Sequence, residues 1–283
     1  MKKHNLIIFL LISVFALALA LTSYAYAENA ELLPVAMTLD GERTEAGALL
    51  QNGVTYVPLR FFCALMGQNT VTWDSETNTA NVKATGLDIT AEVGSKYLVV
   101  NDRIFYCPEG IKLNSGVMYV PVRAIAKAYG VSVEWESGTA GYAGTVVLTS
   151  GGKRAEQASD VYDADVLYWL SRIISSESRG ESLEGQIAVG NVVLNRMRSD
   201  EFPDTVYDVI FDKKFGVQFS PTVSGTIYDK PAEISVIAAK ICLEGYSISD
   251  SILYFLNVSL SSSLWVSNNR TFVMTLGNHS FYS

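Results

Sequence analysis

The sequence predicts an α+β protein, in which a duplicated α+β module is followed by a mostly helical domain. Two observations support this prediction. A motif in the first half of the chain is repeated at a constant offset of 63 residues, and apolar residues in the second half recur every three or four positions. With 283 residues, the chain is long enough to form more than one hydrophobic core.

The first 27 residues are expected to be a secretory signal peptide. Lys2 and Lys3 precede an apolar run from Leu6 to Leu21, and the small-x-small sequence Ala25-Tyr26-Ala27 follows it. The run is short for a membrane-spanning helix, and a retained membrane anchor is the alternative. We therefore expect an exported protein, secreted or held in the cell wall, with no stable membrane insertion after cleavage.

The composition argues against several classes of function. Without the signal peptide, 19 basic residues remain against 29 acidic residues, and the formal charge of −10 disfavours nucleic acid as a partner. His279 is then the only histidine, which excludes HExxH zinc sites and two-histidine metal centres, so no metal or cofactor is expected. At most one disulfide bridge can form, with Cys63–Cys107 the conceivable pair, and buried thiols are the alternative. Cys242 lies in an apolar run and is expected to be inert.

The predicted accessory domain, residues 32–150, contains the duplication. Its two copies read GVTYVPLR at 53–60 and GVMYVPVR at 116–123. Each copy continues through a helical pattern to a glycine, and then through an alternating strand to a tryptophan, Trp73 or Trp135. The pattern predicts a strand, a helix and further strands in each copy, with each half completing the core of the other.

This repeat resembles the copper amine oxidase N-terminal-like domain of exported bacterial proteins, chiefly in its Tyr-Val-Pro-x-Arg motif. The predicted domain contains no histidine, so nothing in it supports copper binding or amine oxidation. The resemblance implies attachment to a wall or cell surface, and a structural spacer is the alternative.

A small, polar stretch at 151–160 predicts a flexible linker, and residues 161–283 are expected to form the second domain. Apolar periodicity predicts three helices, over 166–176, 184–198 and 233–243. The middle helix is apolar almost all round, which predicts a central position. Two later segments look extended, 252–257 and 271–283. A mostly helical domain with a small β element and an acid at a helix end is the architecture of lysozyme-like folds, an argument by analogy.

That acid is Glu177, at the end of the first predicted helix of the second domain. Counting back from Glu177, the apolar residues Ile173, Leu170 and Val166 follow at spacings of four, three and four. An apolar environment raises the pKa of a carboxyl group and makes it available as a general acid near neutral pH. Cleavage of a glycosidic bond needs such an acid to protonate the leaving oxygen. The alternative is a carboxylate that only caps the helix or pairs with Arg179.

Ordered motifs across the second domain resemble those of SleB-type cell-wall hydrolases, the spore-cortex-lytic family. In the family's order they are ESRGE at 177–181, EGQIAV at 184–189, VLNR at 193–196, QFSP at 218–221, YFLN at 254–257, Trp265, and GNHSFY at 277–282. The resemblance implies a lysozyme-like, lytic-transglycosylase-like fold that acts on the glycan strands of peptidoglycan, with Glu177 as the catalytic acid.

The motif residues also suit a groove for sugars. Four side chains can hydrogen-bond sugar hydroxyls and N-acetyl groups, namely Gln218, Ser220, Asn257 and Asn278. Tyr254 and Trp265 offer flat apolar faces for sugar rings. His279 completes the substrate-binding candidates, although a structural hydrogen-bonding role is preferred over a second catalytic one. Glu181 is either a carboxylate at a helix start or a second catalytic carboxylate.

Ser176 and Ser178 flank Glu177 where the family often has Gly or Asn before it and Ala after it. Their hydroxyls could hydrogen-bond the carboxylate and lower its pKa. The leading hypothesis is cleavage between N-acetylmuramic acid and N-acetylglucosamine, in which Glu177 acts first as acid and then as base and gives a 1,6-anhydro product. The alternatives are a hydrolytic muramidase that uses Glu181, a non-catalytic peptidoglycan-binding protein, and an amidase or peptidase, which the single histidine disfavours.

Overall fold

The computed structural model describes residues 32–67, 70–138, 142–214, 216–257, 259 and 264–283. The predicted signal peptide at residues 1–27 lies outside these ranges. No helix within them has both the length and the apolar composition that a bilayer span requires. The chain divides into two compact units: the first unit combines the described residues up to Gly67 with Ile111–Lys153, and the second unit combines Thr70–Gly110 with Arg154–Ser283.

The strands are short and the longest helices have 15 residues. In chain order the strands are β1 (Leu33–Leu39), β2 (Glu42–Arg43), β3 (Ala48–Gln51), β4 (Val54–Pro58), β5 (Thr70–Asp74), β6 (Thr79–Ala84), β7 (Leu87–Glu92), β8 (Tyr97–Val100), β9 (Arg103–Tyr106), β10 (Lys112–Asn114), β11 (Val117–Pro121), β12 (Ser132–Ser137), β13 (Gly144–Thr149), β14 (Tyr254–Leu256), β15 (Phe272–Leu276) and β16 (His279–Tyr282). The helices are α1 (Leu59–Leu65), α2 (Val122–Tyr129), α3 (Ala158–Val161), α4 (Ala164–Ser178), α5 (Leu183–Met197), α6 (Val206–Phe211), α7 (Pro221–Ser224), α8 (Glu233–Leu243) and α9 (Trp265–Asn269), with a 3₁₀ turn at Thr226–Tyr228.

The two copies of the repeated motif meet in the sheet of the first unit. This sheet has the order β10-β11-β4-β3-β1-β13-β12, with β2 paired to β1. The antiparallel pairing of β4 with β11 places Val57 opposite Val120, and each motif tyrosine opposite the proline of the other motif. The pairing is therefore symmetric about the two valines, and the two copies contribute strands to one sheet.

The strands that end each copy enter different sheets. Trp135 lies on β12, which pairs with β13 in the first unit, whereas Trp73 lies on β5, which starts an antiparallel five-stranded sheet of order β5-β6-β7-β8-β9 in the second unit. Contacts therefore divide the predicted accessory domain of residues 32–150 between two compact units. The domain boundaries drawn from the sequence stay predictions.

The segment predicted as a flexible linker makes hydrogen bonds to other parts of the second unit from Arg154 onwards. The side chain of Asn101 donates a hydrogen bond to the carbonyl of Ala155, and its backbone carbonyl accepts one from the amide of Ala158. Arg154 donates to the carbonyl of Thr85. Small and polar composition indicates a lack of apolar anchoring, but it does not show where backbone groups find partners.

The three predicted helices of the second unit are confirmed as α4, α5 and α8. Asp163 caps α4 by accepting from the amides of Asp165 and Val166, and Ser182 caps α5 by accepting from the amide of Gly185. Every residue of α5 from 185 to 196 is buried, so the central position predicted from its composition is also confirmed.

A three-stranded sheet of order β14-β16-β15 covers the two segments predicted to be extended. The α+β class is therefore confirmed, with a sheet-rich N-terminal part and a helical C-terminal part. All three cysteines are buried thiols, and the structure joins none of them in a disulfide bridge.

Candidate active site

Glu177 is the penultimate residue of α4 and continues the buried stripe of that helix. Leu170 and Ile173, which precede it on this stripe, have no exposed surface, and Glu177 itself is half-buried. Burial raises the pKa of Glu177 to about 7, because a carboxylate loses hydration in an apolar environment. The carboxyl group can therefore carry a proton near neutral pH and still reach solvent.

The two serines beside Glu177 direct their hydroxyls away from it. Ser176 Oγ donates to the carbonyl oxygen of Thr226 at 3.0 Å, and Ser178 Oγ donates to the carbonyl oxygen of Ile174 at 2.7 Å. Among the described residues, no hydrogen bond reaches the Glu177 carboxyl group. The sequence left open that these two hydroxyls hydrogen-bond the Glu177 carboxylate and lower its pKa. In the structure they do not make these hydrogen bonds.

Glu181 lies in the loop between α4 and α5 and contacts the turn between β15 and β16. Its carboxylate accepts hydrogen bonds from the backbone amide of Asn278 at 3.1 Å and from Asn278 Nδ2 at 2.8 Å. These hydrogen bonds lower the pKa of Glu181. Gly277 has a φ of +57°, and a Cβ atom there would lie 1.9 Å from Glu181 Oε2, so only glycine leaves room for this contact.

His279 lies next to the Glu181–Asn278 contact and is buried. Its Nδ1 is 3.8 Å from Glu181 Oε1 and has no hydrogen-bond partner among the residues that the structure describes. Its ring packs edge-on against Phe255, with the centroids 5.3 Å apart. Burial lowers the pKa of His279, which favours the neutral imidazole at pH 7.

Gln218 and Tyr254 are brought together around Arg196, which is 5 % exposed. Arg196 Nε donates to the carbonyl of Leu253 at 2.7 Å, and its Nη1 lies 3.5 Å from Gln218 Oε1. The Arg196 guanidinium is 5.3 Å from the ring centroid of Tyr254, and that of Arg270 is 4.4 Å from the same ring. Tyr254 is 9 % exposed, so little of its ring is open to a sugar.

The remaining candidates lie at the surface or on its edge. Ser220 is exposed at the start of α7, and Asn257 is half-buried, with its Oδ1 accepting from the amide of Ser259. Trp265 begins α9 and is 54 % exposed, the most open of the aromatic candidates. The substrate-binding roles of all these residues stay predictions.

Arg196 lies in one of the quoted motifs but is not among the site residues predicted from the sequence. The signal that could have found it is a guanidinium in a mostly apolar, central helix, because a buried charge needs specific partners. Burial lowers the pKa of Arg196 to about 10. Within the described ranges, no group of three or more His, Cys, Asp or Glu side chains is arranged to hold a metal ion.

Comparison with known proteins identifies two families along the chain. Residues 180–282 match the cell wall hydrolase family, and residues 38–142 match the copper amine oxidase N-terminal domain. The first match begins three residues after Glu177, so it contains Glu181 and every predicted substrate-binding residue but not Glu177 itself.

The curated relatives include two spore cortex-lytic enzymes. That of Oceanobacillus iheyensis is 29 % identical over 150 residues, which are 53 % of each chain, and that of Bacillus subtilis is 34 % identical over 112 residues, which are 40 % of this chain and 35 % of the relative. The chain thus spans about half or less of the length of these curated relatives.

A solved structure is also similar: the catalytic domain of the germination-specific lytic transglycosylase SleB from Bacillus anthracis. It is 32 % identical over 43 % of this chain and 97 % of that chain, with a TM-score of 0.39. The family matches confirm both resemblances found in the sequence. The chain therefore carries a domain of the cell wall hydrolase family at residues 180–282 and a copper amine oxidase N-terminal-type domain at residues 38–142.

Proposed function

We propose that this protein is an exported enzyme that cleaves the glycan strands of peptidoglycan between N-acetylmuramic acid and N-acetylglucosamine. The observation that carries the proposal is Glu177, a half-buried carboxyl group at a helix end whose pKa is raised to about 7. The names of the curated relatives, spore cortex-lytic enzymes, support the same substrate class and an extracytoplasmic site of action.

Glu177 is proposed to act twice. In its protonated form it donates a proton to the glycosidic oxygen as the bond breaks. The carboxylate left behind then accepts the proton of the sugar's own 6-hydroxyl, whose oxygen attacks the anomeric carbon and closes a 1,6-anhydro ring. The reaction consumes no water, and it returns the Glu177 carboxyl group to its protonated form. No metal or cofactor takes part in these steps.

The contacts of Glu181 favour this route over hydrolysis. A muramidase needs a second carboxylate that acts on water or on the anomeric carbon. Glu181 is the nearest acid to Glu177 in the chain, but both of its oxygens accept hydrogen bonds from Asn278. We therefore assign Glu181 a structural role and propose that the enzyme is a lytic transglycosylase.

The test is the mass of the muropeptides that the purified exported chain releases from vegetative peptidoglycan and from spore cortex. We expect anhydro products, each one water lighter than its hydrolysed counterpart. Glu177→Gln should reduce the rate at least roughly 100-fold, because general acid–base catalysis contributes about 10²–10⁴. Glu201→Gln is the matched control, since Glu201 is exposed, and it should retain the full rate.

Three outcomes would contradict parts of the proposal. A Glu177→Gln enzyme with wild-type turnover would remove Glu177 from the mechanism. Products with reducing ends would identify a muramidase and reopen the role of Glu181. No product from either substrate, with a folded chain, would leave a peptidoglycan-binding protein.

A further inference from the structure

The five-stranded sheet β5–β9 shares a hydrophobic core with the helices of the second unit. Ile104 on β9 belongs to the same buried cluster as Leu170 and Ile173 of α4 and the apolar residues of α5. Tyr97, Val99 and Tyr106 pack against this cluster from β8 and β9. The sheet therefore buries apolar side chains against the helices, as two elements of one domain do.

A buried ion pair joins the sheet to the end of α8. Arg103 on β9 donates two hydrogen bonds to the Glu244 carboxylate, from Nε at 2.7 Å and from Nη2 at 2.8 Å. Their side chains are 13 % and 5 % exposed. The Tyr162 hydroxyl donates a third hydrogen bond to Glu244 at 2.7 Å. A bidentate guanidinium–carboxylate pair fixes orientation as well as distance.

A second contact joins the sheet to the start of α5. Glu184, in the first turn of α5, accepts a hydrogen bond from the Tyr106 hydroxyl at 3.0 Å and pairs with Lys96. Burial alone would raise the pKa of Glu184, but the hydrogen bonds from Lys96 and Tyr106 outweigh it, and the pKa is lowered. The Tyr106 ring also packs against Tyr246, with centroids 4.5 Å apart.

The start of α5 is in turn connected to the loop that follows Glu177. Gln186 Nε2 donates to the carbonyl of Glu181 at 3.1 Å, and Gln186 Oε1 accepts from Ser235 Oγ on α8. Glu181 lies four residues after Glu177 and holds Asn278. A displacement of Glu184 is therefore expected to move the loop 179–182, which directly follows Glu177 and the end of α4.

We propose that the sheet β5–β9 is a fixed brace of the active site, and that Glu184 is a positioning residue through which Tyr106 and Lys96 hold the start of α5 and the loop 179–182. The catalytic consequence rests on the proposed function, whereas the bracing itself does not. The exported chain would then use part of its copper amine oxidase N-terminal-type domain to complete the catalytic unit.

The test compares the wild-type chain with the double variant Tyr106→Phe, Lys96→Met, which removes both donors to Glu184 and keeps the Tyr106 ring packing. Lys83→Met is the matched control, because Lys83 pairs with Asp88 on the same sheet and both side chains are more than half exposed. Amide hydrogen exchange of peptides covering 178–186 is the first measurement. The second is the pH dependence of kcat on peptidoglycan. A third variant, Glu184→Gln, removes the charge and preserves the side-chain volume.

We expect exchange in 178–186 to become roughly tenfold faster in the double variant and in Glu184→Gln, and to be unchanged in Lys83→Met. In the same two variants we expect Glu177 to be better hydrated, which lowers its pKa. The high-pH limb of the kcat profile should then move to lower pH, with KM little changed. Unchanged exchange would overturn the brace, and faster exchange without a shift in the kcat profile of an active enzyme would overturn the positioning role of Glu184. Faster exchange in the variants, together with a wild-type chain that cleaves nothing, would support the brace and contradict the proposed function.

Discussion

At the residue scale, the environment that suits Glu177 for catalysis also makes it costly for folding. The carboxyl group has no hydrogen-bond partner among the described residues, and burial raises its pKa from 4.5 to about 7. When a buried carboxyl group has no such partner, its neutral, protonated form is favoured over the carboxylate. Above pH 7 the folded state must therefore hold a charge that it solvates less well than water does.

This cost predicts that Glu177→Gln unfolds less readily than the wild type at alkaline pH. Because the folded-state pKa is higher than the unfolded value, the group's contribution to stability is complete below pH 4.5 and is lost as the pH rises through 7. Glutamine carries no such dependence. The free energy of unfolding of the variant, relative to that of the wild type, should therefore increase by on the order of 2 kcal/mol from pH 4.5 to pH 8. Urea unfolding at both pH values measures this difference, and a difference that does not change with pH would contradict it.

At the element scale, one carboxylate adds a specific contact between the helical part and the small sheet, beside the packing of Phe281 into the helical core. Glu181 belongs to the α4–α5 loop, and its two partners are groups of Asn278 in the β15–β16 turn. The turn can approach this closely because Gly277 carries no side chain and adopts a positive φ. The contact between this loop and this turn thus depends on one carboxylate and one glycine.

Gly277→Ala should therefore cost more than its backbone conformation alone explains. Gly225 is the matched control, since its φ is +86° and a Cβ atom there would have nothing within 4 Å. We expect Gly225→Ala to lower the free energy of unfolding by roughly 1–2 kcal/mol, the cost of a left-handed residue. Gly277→Ala should lower the free energy of unfolding by about 2 kcal/mol more than Gly225→Ala does, because the new Cβ atom displaces the Glu181 carboxylate from its hydrogen-bond donors. Equal losses in the two variants, measured by urea unfolding, would refute this role of the Glu181–Asn278 contact.

At the scale of the whole molecule, the boundaries of compact packing do not follow the repeat in the sequence. The two motif strands share one sheet in the first unit, yet residues 70–110 between them belong to the second unit. A repeat detected by its motif shows which residues are homologous, but not which strands bury the same apolar surface. The unit that unfolds cooperatively is set by burial.

The three thiols provide a direct test of this division. Burial raises the pKa of Cys107 and of Cys242 to about 12, and it also raises the pKa of Cys63, so each thiol should react with iodoacetamide only after local or global unfolding. Cys107 and Cys242 belong to the second unit and should become reactive at the same urea concentration. Cys63 belongs to the first unit and should have its own midpoint. Mass spectrometry of pulse-labelled peptides measures all three.

Labelling of Cys107 together with Cys63, and before Cys242, would contradict the division into these units. It would show instead that residues 32–150 unfold as one domain, as the sequence predicts. The same data would also test the brace, because a sheet that unfolds before the helices cannot hold the start of α5.

Features that depend on local spacing could be predicted from the amino-acid sequence. Three- and four-residue apolar spacing defined α4, α5 and α8 and placed Glu177 on a buried stripe. The motifs identified both families, because a motif is a property of short stretches of sequence. Even the raised pKa of Glu177 followed from its apolar neighbours on one helix.

The partners of the charged residues depend on tertiary packing and could not be predicted from local spacing. Glu181 meets Asn278 across 97 residues and Arg103 meets Glu244 across 141. Tertiary packing also decided that β5 leaves the sheet of the repeat and that the hydroxyls of Ser176 and Ser178 bond to backbone carbonyls. Helix and strand periodicity reports which face of an element is buried, whereas a hydrogen bond between distant residues depends on how those faces pack.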